Sequence, residues 1–504
     1  MNFSKILLSF SGDNNNTIGT QKYDRGFAMA ATRAWTGILP VALLLSACQG
    51  TDGANVFEKP IDFLSAQAEK IQALGGDGST EEADAEVPQR RTLAGILRGS
   101  AASVDLGKGF TKSIAAAVMS DPSIIAAADE VDALAARVEA TRSQKDFQFN
   151  GTLYGGVEDV SDETSGVAAV LSANRMIFDG GKIDAQISAD EQRLIAARHS
   201  LQARMDERAL QLASIWVDLD RYEKLNGEIE SRLMILNPLI EQLEKVASAG
   251  VGDVTQVAAA QRTVSAIRVT QTDVAERLAQ TQVSFVNAFG SLPARGSFEG
   301  GFVANKVPAK ISDKMERAAP ALLAQYASYL AAEADLAAVK ARKSFDVGFE
   351  TKVSKPFGGS EFDSKESIGL VLRKNFYDGG QLEADEARAA ASVEGAIAKI
   401  NATYREGERS VKTAQQTIKS MDKAIALAKE NATVTADEIA YLRKQLIIGG
   451  STLDSVLSAE ARLYDAESKE INFQADKYKA QLTILSALGV LSKSLGLSAN
   501  PEQS

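Results

Sequence analysis

Chemistry has few residues to work with in this chain. Its 504 residues include one cysteine, Cys48, and one histidine, His199. A lone thiol permits no intrachain disulfide and no cysteine-rich zinc site, and a lone imidazole weakens any scheme built on histidine bases or several histidine ligands. No phosphate-binding loop, nucleophile elbow or metal-spaced cluster stands in the sequence, so neither an enzyme nor a cofactor is expected. What recurs instead is an acid beside glycines. Phe178-Asp179-Gly180-Gly181 is matched by Tyr377-Asp378-Gly379-Gly380 and Gly250 by Gly449, with Gly252 and Asp253 after the first and Gly450 and Asp454 after the second. Such clusters make turns, cap helices and, when arranged as a ring, concentrate cations. With 55 Lys+Arg against 66 Asp+Glu, the net charge of −11 argues against a nucleic-acid-binding face.

The lone cysteine has a use outside a fold. The longest apolar run, Trp35–Cys48, falls short of the roughly 20 residues of a spanning helix and is interrupted by Pro40, and residues 38–45 form its core behind Arg33. They read as a signal peptide, 1–47, in which 1–28, upstream of Met29, has the look of a mis-assigned start. Leu45-Ser46-Ala47-Cys48 resembles a bacterial lipobox, whose cleavage would leave the Cys48 thiol to carry lipid. The plainer alternative is that Cys48 is one more residue of an ordinary signal peptide. Segment 48–115, Gly- and acid-rich between 75 and 92, reads as an N-terminal linker from the acylated Cys48.

Stepping from residues to elements, a repeat at an offset of 198–199 covers most of the rest. Asp121-Pro122 aligns with Ala319-Pro320, Phe147 with Phe345, Phe178 with Tyr377, Gly250 with Gly449, Val257-Ala258-Ala259-Ala260-Gln261 with Val456-Leu457-Ser458-Ala459-Glu460, and Phe289-Gly290 with Leu488-Gly489. The organisation predicted is a first repeat 116–290, an insertion 291–319, a second repeat 320–490 and a C-terminal tail 491–504. Within each copy an Ala-rich helix (122–146; 320–344) gives way to period-two alternation. Phe345, Val347, Phe349, Thr351 and Val353 alternate with polar residues, a strand with one apolar face. A turn-rich loop and a return strand (166–178; 367–377) complete each hairpin. Asp-Gly-Gly then starts a very long helix at 182 or 381, on the order of 100 Å at about 1.5 Å per residue. After the Gly turns an antiparallel helix returns, with Leu457, Tyr464, Ile471, Tyr478 and Leu485 at seven-residue spacing, a coiled-coil seam. The return helix is too short for the descent, so a second helix must be stacked on it. Two hairpins supply four strands, too few for the smallest barrel of about eight, so any barrel must be oligomeric.

The lipobox, twin hairpins, two [FY]-D-G-G junctions and Gly-turn tips followed by V-x-x-A-[QE] together resemble the TolC-like outer-membrane efflux proteins over about 115–490. That resemblance implies a mainly α fold with a small membrane β-barrel: duplicated helix-hairpin-helix units forming a trimeric 12-stranded barrel, continued by an α-helical periplasmic tunnel. It implies an outer-membrane exit duct, conducting passively for an inner-membrane pump reached through a periplasmic adaptor protein. The same scaffold serves type I protein secretion with an ABC exporter, and sequence does not separate the two. A pore-less periplasmic coiled-coil scaffold is a third reading. The family often carries Pro two residues before the junction aromatic; Met176 and Asn375 stand there, leaving the bend to the glycines.

On this reading Phe178, Asp179, Gly180, Gly181, Tyr377, Asp378, Gly379 and Gly380 are strand-to-helix junctions with the acids as caps. Gly250, Gly252, Asp253, Gly449, Gly450 and Asp454 form periplasmic tips that face the adaptor or are simply tight turns. In related proteins acids just after the second tip ring the narrowest point; the matching register here is Ser455 and Ser458, with Asp454 one position off. The alternative for Asp454 is a helix N-cap or a solvated face. His199 is expected in solvent, and Trp216 in helix packing rather than in ligand recognition.

Overall fold

The computed structural model describes residues 104–159, 164–248, 254–357 and 364–497. The segment expected as signal peptide, Cys48, the expected linker up to residue 103, and Gly250, Gly252 and Asp253 of the expected first tip lie outside the described residues, as does 498–504. Two compact units are distinguished, one containing 149–173 and 350–368 and the other the helices with the strand ends.

The strands are β1 (Gln148–Asp159), β2 (Thr164–Phe178), β3 (Asp346–Phe357) and β4 (Lys365–Arg373), in one sheet ordered β1-β2-β3-β4. Each edge strand has one neighbour, so each presents a row of backbone groups without a ladder mate in this chain. Large apolar side chains are exposed along it: Phe149 and Leu153 on β1, Leu171 and Ile177 on β2, Ile368, Leu370 and Leu372 on β4. Within each strand they sit at even spacing and share a face. One expectation needs correcting, since the last strand stops at Arg373 rather than reaching Tyr377. Its counterpart β2, flanked on both sides, does run to Phe178; β4 has β3 alone to pair with.

The helices are α1 (Phe110–Met119), α2 (Pro122–Arg142), α3 (Lys182–Ser248), α4 (Val254–Phe289), α5 (Gly300–Lys306), α6 (Asp313–Arg317), α7 (Pro320–Ala341), α8 (Gln381–Ile447), α9 (Leu453–Ala487) and α10 (Leu491–Ser494). Both α3 and α8 run unbroken for 67 residues, α3 straight through Pro238. No described helix is long and apolar enough to cross a membrane. Local chemistry sets their ends. Asp121 caps α2, accepting from Ser123 N at 2.9 Å, and Pro122 occupies the first turn where a missing N–H costs nothing. At the end of α9, Gly489 (φ 68°) lets Val490 N reach Leu485 O at 2.9 Å, and a side chain there would collide with the Pro320 ring.

The main core gathers on α3. Trp216 is fully buried, edge-on to Phe110 (5.3 Å), Phe285 (5.0 Å) and Phe289 (5.3 Å), and its indole N–H donates to Ser297 Oγ at 3.2 Å. Its expected packing role is what the structure has. The seven-residue seam of α9 is distributed over three such clusters, Leu457 near the tip, Tyr464 and Ile471 in the middle, Tyr478 and Leu485 in the main core. The insertion packs onto both repeats, Phe298, Phe302 and Val303 against the Trp216 cluster and Ile311 and Met315 against Val411 and Ile484.

Two segments left outside the repeats by the sequence reading are folded. Residues 104–115, expected as linker, include most of α1 and bury Phe110 and Ile114, because Trp216 of α3 and Phe298 and Phe302 of the insertion form an aromatic pocket for Phe110. Residues 491–497, expected as tail, bury Leu491, Leu495 and Leu497 in the same cluster. His199, expected in solvent, is half-buried, and burial followed by the positive charge of Lys493 pulls its pKa down. Trp216→Ala is expected to cost about 3–5 kcal/mol, the range for emptying a large aromatic site. Denaturant titration of the helical circular dichroism checks this, and a loss below about 1 kcal/mol would contradict the packing account.

Candidate functional site: strand-to-helix junctions and helix-turn tip

Each junction solves one problem: an extended strand must become a helix, within three residues between β2 and α3 and within seven between β4 and α8. Asp179 accepts from Gly181 N at 2.9 Å and from Ile183 N at 2.6 Å, while Gly180 (φ 67°) and Gly181 (φ 87°) take the left-handed turn between. Asp378 repeats the device with Gly380 N at 3.1 Å and Leu382 N at 3.0 Å, over Gly379 (φ 74°) and Gly380 (φ 89°). Left-handed geometry suits residues without Cβ, and the carboxylate satisfies N–H groups that the first helical turn leaves orphaned. The bend thus needs no proline at 176 or 375.

Ion pairs tie the helices below the junctions. On the α2–α3 side Arg142 pairs with Glu191 at 2.5 Å and Lys145 with Asp184, and on the α7–α8 side Arg342 pairs with Asp385 at 2.7 Å and Lys343 with Glu386 at 2.5 Å. Buried Asp190 accepts from Thr141 Oγ1 at 2.7 Å and pairs with Arg193 (2.7 Å) and Arg137 (3.0 Å). Burial alone would raise its pKa, but these three partners outweigh that and hold it below the usual carboxylate value. Arg193 also reaches Asp335 of α7.

The two repeats are alike in sequence order but not in what covers them. Phe178 packs on Phe345 at 5.1 Å, whereas its counterpart Tyr377 is 86 % exposed. A Cβ on Gly180 would run into Ser344, yet one on Gly379 would meet nothing within 4 Å. Leu482 of α9, 0 % exposed, and Leu485 are sealed in the α3 core, while their repeat counterparts on α4, Val283 (61 %) and Val286, are open. Along α8 and at its C-cap, Leu427, Val434, Tyr441 and Ile448 lie exposed at seven-residue spacing.

At the second tip Gly449 (φ 77°) ends α8, with Gly449 N to Leu446 O at 3.3 Å and Gly450 N to Gln445 O at 2.8 Å. Thr452 caps α9, accepting from Ser455 N at 3.2 Å. Asp454 is therefore not the N-cap. It lies in the first turn, where the positive helix end favours an acid, and is half-buried beside half-buried Ser455, with Ser458 one turn on.

The structure adds one cluster that the site reading lacked. Glu460, 2 % exposed on α9, pairs with Arg232 of α3 (2.8 Å) and Arg443 of α8 (2.6 Å), and Arg232 also holds Glu467 at 2.5 Å. One carboxylate thereby joins three helices near the tip. The signal was present: Glu460 closes the second V-x-x-A-[QE] run, whereas Gln261 in the first run donates to the exposed Glu244 at 3.0 Å.

A doubled arrangement of a β-hairpin with two long antiparallel helices is the fold of outer-membrane channel-tunnels. Structures of that kind match: CusC, with 15 % identity over 75 % of this chain and 91 % of its own (TM-score 0.67); the Campylobacter jejuni CmeC outer membrane channel, 11 % over 78 % and 90 % (0.66); and the outer membrane protein VceC from Vibrio cholerae, 17 % over 75 % and 96 % (0.64). Residues 312–490 match the sequence model of the family described as outer membrane efflux protein. No curated protein sequence matches significantly. The resemblance to TolC-like outer-membrane efflux proteins stands, with the family signature in the second repeat and the fold over three quarters of the chain.

Removing one member of a buried ion cluster leaves its partners uncompensated, so Glu460→Gln is expected to lower stability by about 3–5 kcal/mol. Denaturant unfolding reads this directly; an unchanged midpoint would show that the three-helix junction does not depend on the carboxylate.

Proposed function

We propose that the protein is the outer-membrane exit duct of a tripartite export system, passively conducting small molecules delivered by an inner-membrane pump through a periplasmic adaptor. It would work as a homotrimer whose chains each give four strands to a 12-stranded barrel, anchored also by lipid on Cys48. The outward apolar residues of the strands would face lipid and the polar set a wet lumen.

The observation that carries this reading is the unequal cover of equal surfaces. Tyr377 and Gly379 are open where Phe178 packs on Phe345 and Gly180 abuts Ser344, Val283 and Val286 are open where Leu482 and Leu485 are sealed, and β1 and β4 each have one neighbour. The mate for one open set is the other open set of a second copy, joined head to tail, and a head-to-tail contact whose rotation closes makes a ring. Conduction then follows from shape, with closure at the tips, where the Gly449 turn and the Asp454 ring would meet the adaptor and bias the lumen toward cations.

Purified protein in planar bilayers is expected to give stepwise, cation-preferring conductance that loses preference in Asp454→Asn; assembled protein that passes no current would contradict a duct. Gly449→Trp, which places a bulky side chain at a left-handed tip position, should abolish export while oligomer assembly survives, and unimpaired export would remove the tip from the adaptor contact. For the interface, cells co-expressing Phe147→Cys and Tyr377→Cys chains should yield linked dimers with a short bismaleimide. Links in cells carrying Tyr377→Cys alone would instead indicate a two-fold contact.

A further inference from the structure

The C-terminal residues 491–497 end the described chain against the middle of α3, and their attachment is polar at its centre. Leu491, Leu495 and Leu497 are buried in the main core beside Leu201, Met205 and Ala209 of α3. Between them Ser492, fully buried, points its backbone N–H at Asp206 Oδ1 at 2.8 Å. Asp206, 1 % exposed, lies on the same helix as Gln202 one turn earlier, whose amide donates to Ser492 Oγ. A short α10 closed by Gly496 (φ 77°), with Leu497 N to Ser492 O at 2.9 Å, holds the segment in the shape that presents this N–H. An apolar contact would have docked the segment without a buried acid, and burying an acid is costly while it is charged.

We propose that residues 491–497 are a clasp whose hold on α3 is governed by the charge on Asp206, tightening when the carboxyl is neutral. The inference rests on this cluster and not on the export reading. Burial, opposed by the Ser492 and Gln202 hydrogen bonds and by Lys493, pushes the Asp206 carboxyl up to about 6 from 3.8. When the clasp opens, the carboxyl meets water and returns toward 3.8. The docked state therefore favours the protonated form, so this contribution to docking is complete below 3.8 and is lost as pH rises through about 6. The charged groups around it do not reverse the sign. From α10, Lys493 favours the anion without cancelling the effect of burial; on α3, burial and Lys493 lower the pKa of His199. On the α1–α2 side, Asp121 is paired with Arg208 at 2.7 Å.

The test is hydrogen–deuterium exchange of the amides of 491–497 in the full-length assembled protein, each rate taken relative to the free-peptide rate at that pH. Wild type should gain roughly tenfold in protection from about pH 7.5 to about pH 5. Asp206→Asn, which keeps an acceptor for Ser492 N but cannot ionise, should stay protected throughout with no pH dependence. Ser492→Pro removes the donor without touching α3 and should lose protection at both pH values, which keeps the inference testable if Asp206→Asn fails to assemble. Wild-type protection that does not change with pH, or a pH response that persists in Asp206→Asn, would overturn it. His199→Gln should leave the response in place; its loss there would move the titrating group to the imidazole and also overturn the proposal.

Discussion

A duplicated half-unit can bury a given face only if something supplies the mate, and the two halves of one chain can do that for each other only once. Here the single intramolecular joint lies on the side where α3 meets α7 and α9, and there the counterparts are sealed: Phe178 on Phe345, Gly180 against Ser344, Leu482 and Leu485 in the core. The other joint is open in every one of these respects. Backbone pairing obeys the same rule, because a sheet ordered β1-β2-β3-β4 leaves β1 and β4 with one neighbour each.

The long helices make this arrangement possible, and their charges make it specific. A helix of 67 residues has no fold of its own and must be held at several heights. On α3 the supports are different in kind: ion pairs around Asp190 below the junction, an aromatic cluster around Trp216, and the Arg232–Glu460–Arg443 cluster toward the tip. Apolar stripes would tolerate sliding by a turn, whereas a buried carboxylate with two named arginines does not, so we read Glu460 as setting the register of α3, α8 and α9. Asp206 gives the C-terminal segment the same kind of register on α3.

Much of the fold was legible because certain residue types have few alternatives. A left-handed backbone after an extended strand calls for Gly, a capping carboxylate for Asp or a hydroxyl, and two such runs 199 residues apart announce a repeat. The helix starts at 182 and 381 followed from that alone. Contacts between distant segments were not legible. Period and propensity place Glu460 and Asp206 on helices but do not say which acid faces a partner more than 200 residues away. Phe110 and Leu491 read as lying outside the repeats because their partners, Trp216 of α3 with Phe298 and Phe302 for Phe110 and the α3 core for Leu491, are far off in sequence and leave no local signal near either residue. The end of β4 was missed for a related reason: residues 374–377 have strand-like composition but no neighbour to pair with.

The central claim is that the open surfaces of one chain are completed head to tail by further copies. Native mass spectrometry of the complex released from membranes in mild detergent tests it most directly. The account expects one species of three chains, with no stable monomer and no two-fold dimer. A monodisperse monomer or dimer that still conducts in bilayers would contradict it.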